Sequence, residues 1–228
     1  MPAMPTHDSA RTLARRSFFS KLGFGLVGGA AVGGTSLPAQ AQSSEGGRFE
    51  PARHAQDDWY GQVPGKHRFV FDAPYPDGIS SALQFINNYY NLNVSEYGLK
   101  DSDLAVILVA RHQSTMFGYS DAVWAKYGKP IADRINLVDP KTKQPPMANM
   151  YKDRLDTLIK RGLQIAVCQQ ATRGNAGAIA MATSQTQEAV FEELKANLLP
   201  NARLVPVGIL AVNRAQEHGY SLSVSERA

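Results

Sequence analysis

The sequence predicts an α/β fold, a three-layer α/β/α sandwich around a mainly parallel five-stranded sheet, and three observations lead there. Short apolar runs alternate along the chain with segments whose apolar residues recur at helical spacing, the pattern of strands joined by crossover helices. One run, Leu104 to Ala110, is apolar at every position, as a central parallel strand covered on both faces must be. The chain is 43% hydrophobic and 19% charged with a single cysteine, too apolar for disorder and too poor in thiols for a disulfide scaffold.

Taken in order, His67–Asp72 reads as the first strand, stopped by Pro74 and Pro76. Ile79, Leu83, Ile86 and Tyr90 then form one helix face. Leu104–Ala110 is the second strand. Asp121–Tyr127 is a helix candidate, followed by a proline-containing loop over Asp139–Pro146. Tyr151, Leu155, Leu158 and Ile159 mark the next helix, ended by Gly162, and Leu163–Cys168 is the third strand. Val190, Leu194 and Leu198 mark a helix ended by Pro200. Leu204–Val207 is a fourth strand, Ile209–His218 a helix with Gly219 as its C′ residue, and Tyr220–Val224 a last short strand. Pro206 removes a ladder donor, so the fourth strand belongs at a sheet edge or Pro206 at its end.

The N-terminal residues form a separate unit. Arg15-Arg16-Ser17-Phe18-Phe19-Ser20-Lys21 resembles a twin-arginine export signal, followed by the apolar, glycine-rich stretch Leu22–Gly34 and a cleavage pattern ending at Ala41. This divides the chain into a signal peptide at 1–41, a flexible arm at 42–64 that Trp59-Tyr60 would clip to the domain, and an α/β domain at 65–226. The implied location is the periplasm, with no stable membrane span once the signal is removed, since the longest apolar run of the body is far short of the ~20 residues a span needs. Net charge is +4, of which residues 1–41 carry three units. The remainder is nearly neutral, which argues against nucleic acid as a partner.

In an open parallel sheet, ligands sit beyond the carboxyl ends of the strands. The residues that follow those ends are Asp72 and Tyr75; Arg111, His112, Gln113 and Met116; Cys168, Gln169, Thr172 and Arg173; and Gly208. Cys168 has no second cysteine to pair with. It is either a buried small hydrophobe or a reactive thiolate stabilised by Arg173 and a helix N-terminus, able to act as nucleophile, persulfide carrier or soft ligand. His112 is either a hydrogen-bonded loop residue or a base or ligand facing Cys168. With Met116 the two would make a soft set suited to copper. Gly174-Asn175-Ala176-Gly177 reads as the flexible start of a helix and lacks the glycine patterns that cradle phosphates. No cofactor is named by the residues themselves.

Two segments resemble the DsrE/DsrF-like family of intracellular sulfur oxidation proteins: Leu158–Cys168, a helix, a glycine and an apolar strand ending in cysteine, and Leu199–Ile209, continuing through Asn213–Tyr220. The likeness spans 65–226 in outline and is sharpest from residue 151 onward. It implies a parallel five-stranded sheet, assembly into a homo-oligomer, and a cysteine that carries sulfane sulfur, the position matched by Cys168. His112 is similar to a histidine that many members have after the second strand. The implied partners are small sulfur species, with His112 and Arg173 stabilising the anion. The alternative expectation is a non-enzymatic periplasmic module that binds a small molecule or metal.

Overall fold

The structure is a computed structural model that describes residues 50–226; the expected signal peptide and the first residues of the arm lie outside them. After a short 3₁₀ turn at Ala55–Asp57, the order is α1 (Trp59–Gln62), β1 (His67–Ala73), α2 (Pro76–Tyr97), β2 (Leu104–Ala110), α3 (Asp121–Asp133), α4 (Lys152–Lys160), β3 (Gln164–Cys168), α5 (Gln169–Thr183), α6 (Gln187–Ala196), β4 (Ala202–Val205), α7 (Gly208–Glu217) and β5 (Ser221–Val224). The five strands pair in the order β4-β3-β2-β1-β5, every pair parallel.

That order follows from the handedness of crossovers. The chain steps from β1 to β2, β3 and β4 with α2 to α6 on one face. It then returns through α7 on the opposite face to lay β5 beside β1. A right-handed crossover must change face when the direction of travel across the sheet reverses. The two faces are written in the alternation of β2: Val106, Leu108 and Ala110 point into the large core under α2 to α6, whereas Ala105, Ile107 and Val109 point toward α7.

Among the described residues, one long helix, α7, covers the second face, and the arm packs beside it. Trp59 and Tyr60 are 9% and 1% exposed and pack with Val70, Ile107, Val212 and Tyr220. The arm is held by polar contacts as well. Arg68 donates to the carbonyls of Tyr60, Gly61 and His218, the Tyr220 hydroxyl donates to the Tyr60 carbonyl at 2.8 Å, and the Arg203 guanidinium lies 4.3 Å over the Trp59 ring. Of the arm expected at 42–64, Trp59, Tyr60 and Val63 are buried in the third layer.

Three elements differ from the sequence expectation, two helices because burial outweighs local preference and one strand in its bounds. Helix α3 continues past Tyr127 through Pro130, since Ile131 and Ala132 are buried. Helix α5 starts directly after Cys168, so Gly174–Gly177 lies inside a helix instead of starting one; Thr172, Ala176 and Ile179 supply the buried side that offsets the poor helix formers. Strand β4 ends at Val205, at a sheet edge, and Pro206 follows it, which meets both conditions that proline set.

Two outcomes test this packing. Tyr60→Ala removes a buried ring from the second face and is expected to lower unfolding free energy by about 3–5 kcal/mol, read from denaturant midpoints; an unchanged midpoint contradicts the arm's role. The pKa of His218, which lies 5.5 Å from the Tyr60 ring, is pushed down by burial first and by Arg53 second. The unfolded chain then binds the proton more readily, so stability is full above about pH 6.5 and falls as pH drops toward the lowered folded value. His218→Gln flattens that slope in midpoints measured between about pH 7.5 and about pH 5, on either side of the free imidazole pKa.

Candidate functional site

The register brings the strand ends level. Ala73 lies beside Ala110, Ala110 beside Val167, and Cys168 beside Val205. The residues that follow β1, β2, β3 and β4 therefore emerge together. The chain leaving β3 turns into α5 on one face, and the chain leaving its neighbour β4 turns into α7 on the other. The crevice between diverging connections is where a parallel sheet admits a ligand. A cleft of about 350 Å³ opens there, lined on one side by Cys168, Gln170 and Ala171 and on the other by Val207, Gly208 and Ile209. Arg111, His112 and Met116 after the end of β2, Arg134 just past α3, and Asn175 of α5 also line it.

Cys168 is the N-cap of α5. Its side chain accepts the Ala171 N–H at 3.4 Å, a position where a negative sulfur would meet the positive end of a fifteen-residue helix. Only 4% of the residue is exposed, yet it is one of the residues that line the cleft. Its carbonyl accepts from the Thr172 hydroxyl at 2.9 Å.

Asp72 and Arg111 form the polar floor. Asp72, at the end of β1, is 2% exposed, and its carboxylate takes Arg111 Nε at 2.7 Å and Nη2 at 2.8 Å. This bidentate hydrogen bonding, above all, pushes the Arg111 pKa further up. The arginine stem passes over Gly208, where a Cβ would fall 2.3 Å from that of Arg111, so glycine is required at this position. Ser114 ties the same two strand ends together: its Oγ accepts the Arg111 N–H at 3.1 Å and contacts the Ala73 carbonyl.

His112 begins the 3₁₀ turn His112–Gly118 with a left-handed φ of 55°, uncommon for a residue with a side chain. Its ring meets Tyr75 edge-on at 5.5 Å between centroids, joining the loops after β1 and β2. His112 and Cys168 thus line one cleft from neighbouring strands, an adjacency that spacing alone does not reveal. Arg173 is placed elsewhere. It projects toward α6, where Nη1 meets Glu188 Oε2 at 3.2 Å and the guanidinium stacks 3.9 Å over Phe191. Its side chain is committed there and does not line the cleft. The cations that do line it are Arg111 and Arg134, and Arg134 carried no sequence signal because it follows a helix whose end was expected at Tyr127.

Behind the cleft runs a buried polar chain. Asn175 Nδ2 donates to the Tyr119 hydroxyl at 3.2 Å, and that hydroxyl donates to Thr172 Oγ1 at 3.0 Å. Burial, partly opposed by these hydrogen bonds, pushes the Tyr119 pKa up to about 12, so it remains a proton donor. Asn175 Oδ1 in turn accepts from Arg134 Nη1 at 2.6 Å.

The fold and cleft define a class: an α/β/α protein with one cysteine at a sheet switch point among cationic side chains. No family model matches this chain, and no curated protein matches it. Among solved structures it is similar to MTH1491 from Methanobacterium thermoautotrophicum, a protein of unknown function, with 16% identity and a TM-score of 0.40 over 70% of this chain and 99% of that one. A likeness at that level carries no argument about function.

The Asp72–Arg111 pair gives a direct test of the floor. Arg111→Met leaves a buried carboxylate unpaired and is expected to cost about 3–5 kcal/mol. Combining it with Asp72→Asn recovers part of that loss in denaturant unfolding. A double variant no more stable than Arg111→Met contradicts the pairing.

Proposed function

We propose that this chain is an exported carrier of sulfane sulfur, with Cys168 as the accepting atom. The observation that carries the proposal is the position of that sulfur, at the N-cap of α5 and at the inner wall of a cleft formed where the connections from β3 and β4 part. The resemblance of Leu158–Cys168 and Leu199–Tyr220 to DsrE/DsrF-like segments supports the same role, as the strand-end cysteine is the sulfur-bearing position there. In the reaction, the Cys168 thiol loses its proton to solvent or to His112. The thiolate then attacks a sulfane sulfur, the donor's S–S bond breaks with its electron pair leaving on the shortened donor, and a Cys168 persulfide remains. The helix N-terminus, Arg111 and His112 stabilise the anionic sulfur. The twin-arginine-like segment Arg15–Lys21 supports a periplasmic location for this activity.

A non-enzymatic binding module is the second reading, favoured by a cleft volume many times that of one sulfur atom. Its small-molecule form uses the same walls. Its metal form has less behind it: among the described residues no group of three or more His, Cys, Asp or Glu is placed to hold a metal, so a copper site at Cys168 and His112 would depend on the Met116 thioether. No helix among the described residues is long and apolar enough to cross a membrane.

A homo-oligomer belongs to the proposal. Helix α2 carries no charged side chain between Asp77 and Glu96, and its exposed Phe85, Leu92 and Tyr97 flank edge strand β5. Such a face can meet its own copy without like-charge repulsion.

Two measurements test these statements. Polysulfide treatment followed by intact-mass analysis is expected to add increments of about 32 Da, one sulfur atom each, and to add none to Cys168→Ser; an unmodified wild-type protein overturns the carrier proposal. Sedimentation is expected to show an oligomer at micromolar concentration that Leu92→Glu dissociates; a wild-type monomer overturns that assembly.

A further inference from the structure

Helix α5 contains Gly174-Asn175 near its middle, two of the poorer helix formers, at a cost of about 1 kcal/mol for the glycine alone relative to alanine. The occupant of the space they leave is Arg134. A Cβ on Gly174 would fall 2.9 Å from Arg134 Nη2 and 3.2 Å from Nη1, so the guanidinium rests on bare helix backbone. Asn175, 4% exposed, spends its carbonyl oxygen on Arg134 Nη1 and its amide on Tyr119. Arg134 is exposed as a residue, and its guanidinium, hydrogen-bonded to Asn175, stands at the wall of the cleft that Cys168 lines. Among the described residues, none that lines this cleft is an aspartate or glutamate. Asp72 is paired with Arg111, and among the described residues Arg134 forms no ion pair and bonds to the neutral amide of Asn175. Arg134 therefore has a built seat whose known partner is a neutral amide, an arrangement that suits a ligand bringing its own negative oxygens.

We infer that the cleft takes a thiosulfate-class donor, with its sulfonate oxygens on Arg134 and its sulfane sulfur directed at Cys168. This deepens the carrier proposal and rests on it. The chemistry balances as a single displacement. The Cys168 thiolate forms a bond to the sulfane sulfur, the bond from that sulfur to the sulfonate sulfur breaks, and the electron pair leaves on sulfite. Thiosulfate and thiolate become sulfite and Cys168 persulfide, with total charge unchanged and no external oxidant or reductant. Arg134 contributes by binding the oxyanion head. A polysulfide chain has no such head, and its transfer is independent of Arg134.

The test compares two inorganic donors, thiosulfate and polysulfide, on the full chain and on two variants, Arg134→Gln and Gly174→Ala. Gly174→Ala adds a helix-favouring residue and displaces the guanidinium without removing it. Persulfide at Cys168 is read by intact mass and sulfite release by a colorimetric assay. Wild type is expected to be labelled by both donors. Both variants are expected to lose labelling by thiosulfate by about tenfold or more while keeping labelling by polysulfide. Labelling of wild type by polysulfide but not thiosulfate overturns the inference and leaves the carrier proposal standing, as does equal thiosulfate labelling of wild type and both variants. Loss of both donors' labelling in the variants also overturns it, since Arg134 would then act through the fold. No labelling of wild type by either donor overturns the carrier proposal itself.

Discussion

The reversal of the chain's path across the sheet is the constraint on which the site depends. Parallel strands joined by right-handed crossovers carry the connections of β1 to β3 over one face, and the single return from β4 to β5 must use the other. The backbone consequently splits between β3 and β4, with Cys168 on one lip and Gly208 on the other. Nothing about the cysteine alone creates a cleft. Its position as the last residue of β3, level with Val205 of β4, does.

Around that split, side chains divide the work. Asp72 is spent entirely on Arg111, and Arg111 on bracing the ends of β1 and β2, with Gly208 leaving room for its stem. Ser114 and the His112–Tyr75 contact join the same loops. Arg134 is oriented from behind by Asn175, which is itself fixed through Tyr119 and Thr172 to the carbonyl of Cys168. The network runs from the base of one cation to the backbone of the sulfur-bearing residue, and its interior members are buried. Preorganised polar groups in a sheltered cavity act more strongly on a charge than the same groups in water.

Much of the fold was legible because the signals were local. The all-apolar β2 and the Ile79–Tyr90 periodicity identify their elements from a few residues each, and Pro206 restricts where β4 can lie. The site was legible only in part. Cys168 and His112 stand out by residue type at strand ends, but their shared cleft is a property of β2–β3 pairing, which no spacing encodes. Arg173 drew attention through proximity in sequence to Cys168; helical rotation turns it toward Glu188 and Phe191 instead. Arg134 and Asn175 escaped notice for the opposite reason. The first lies beyond a proline inside α3, and the second sits in a glycine-containing stretch whose helical state is imposed by tertiary burial. The arm's role was half visible, since Trp59-Tyr60 signals anchoring but not that these residues share a sheet face with α7.

The central claim is that the Cys168 sulfur faces a cation-lined cavity and not a sealed core. Comparing alkylation of the native protein by negatively charged iodoacetate and neutral iodoacetamide tests this most directly. The account predicts reaction of the folded protein with both, and a higher iodoacetate-to-iodoacetamide rate ratio than a small free thiol shows under the same conditions. A thiol that reacts with neither reagent until the chain is unfolded, or one that discriminates against the anion, would contradict it.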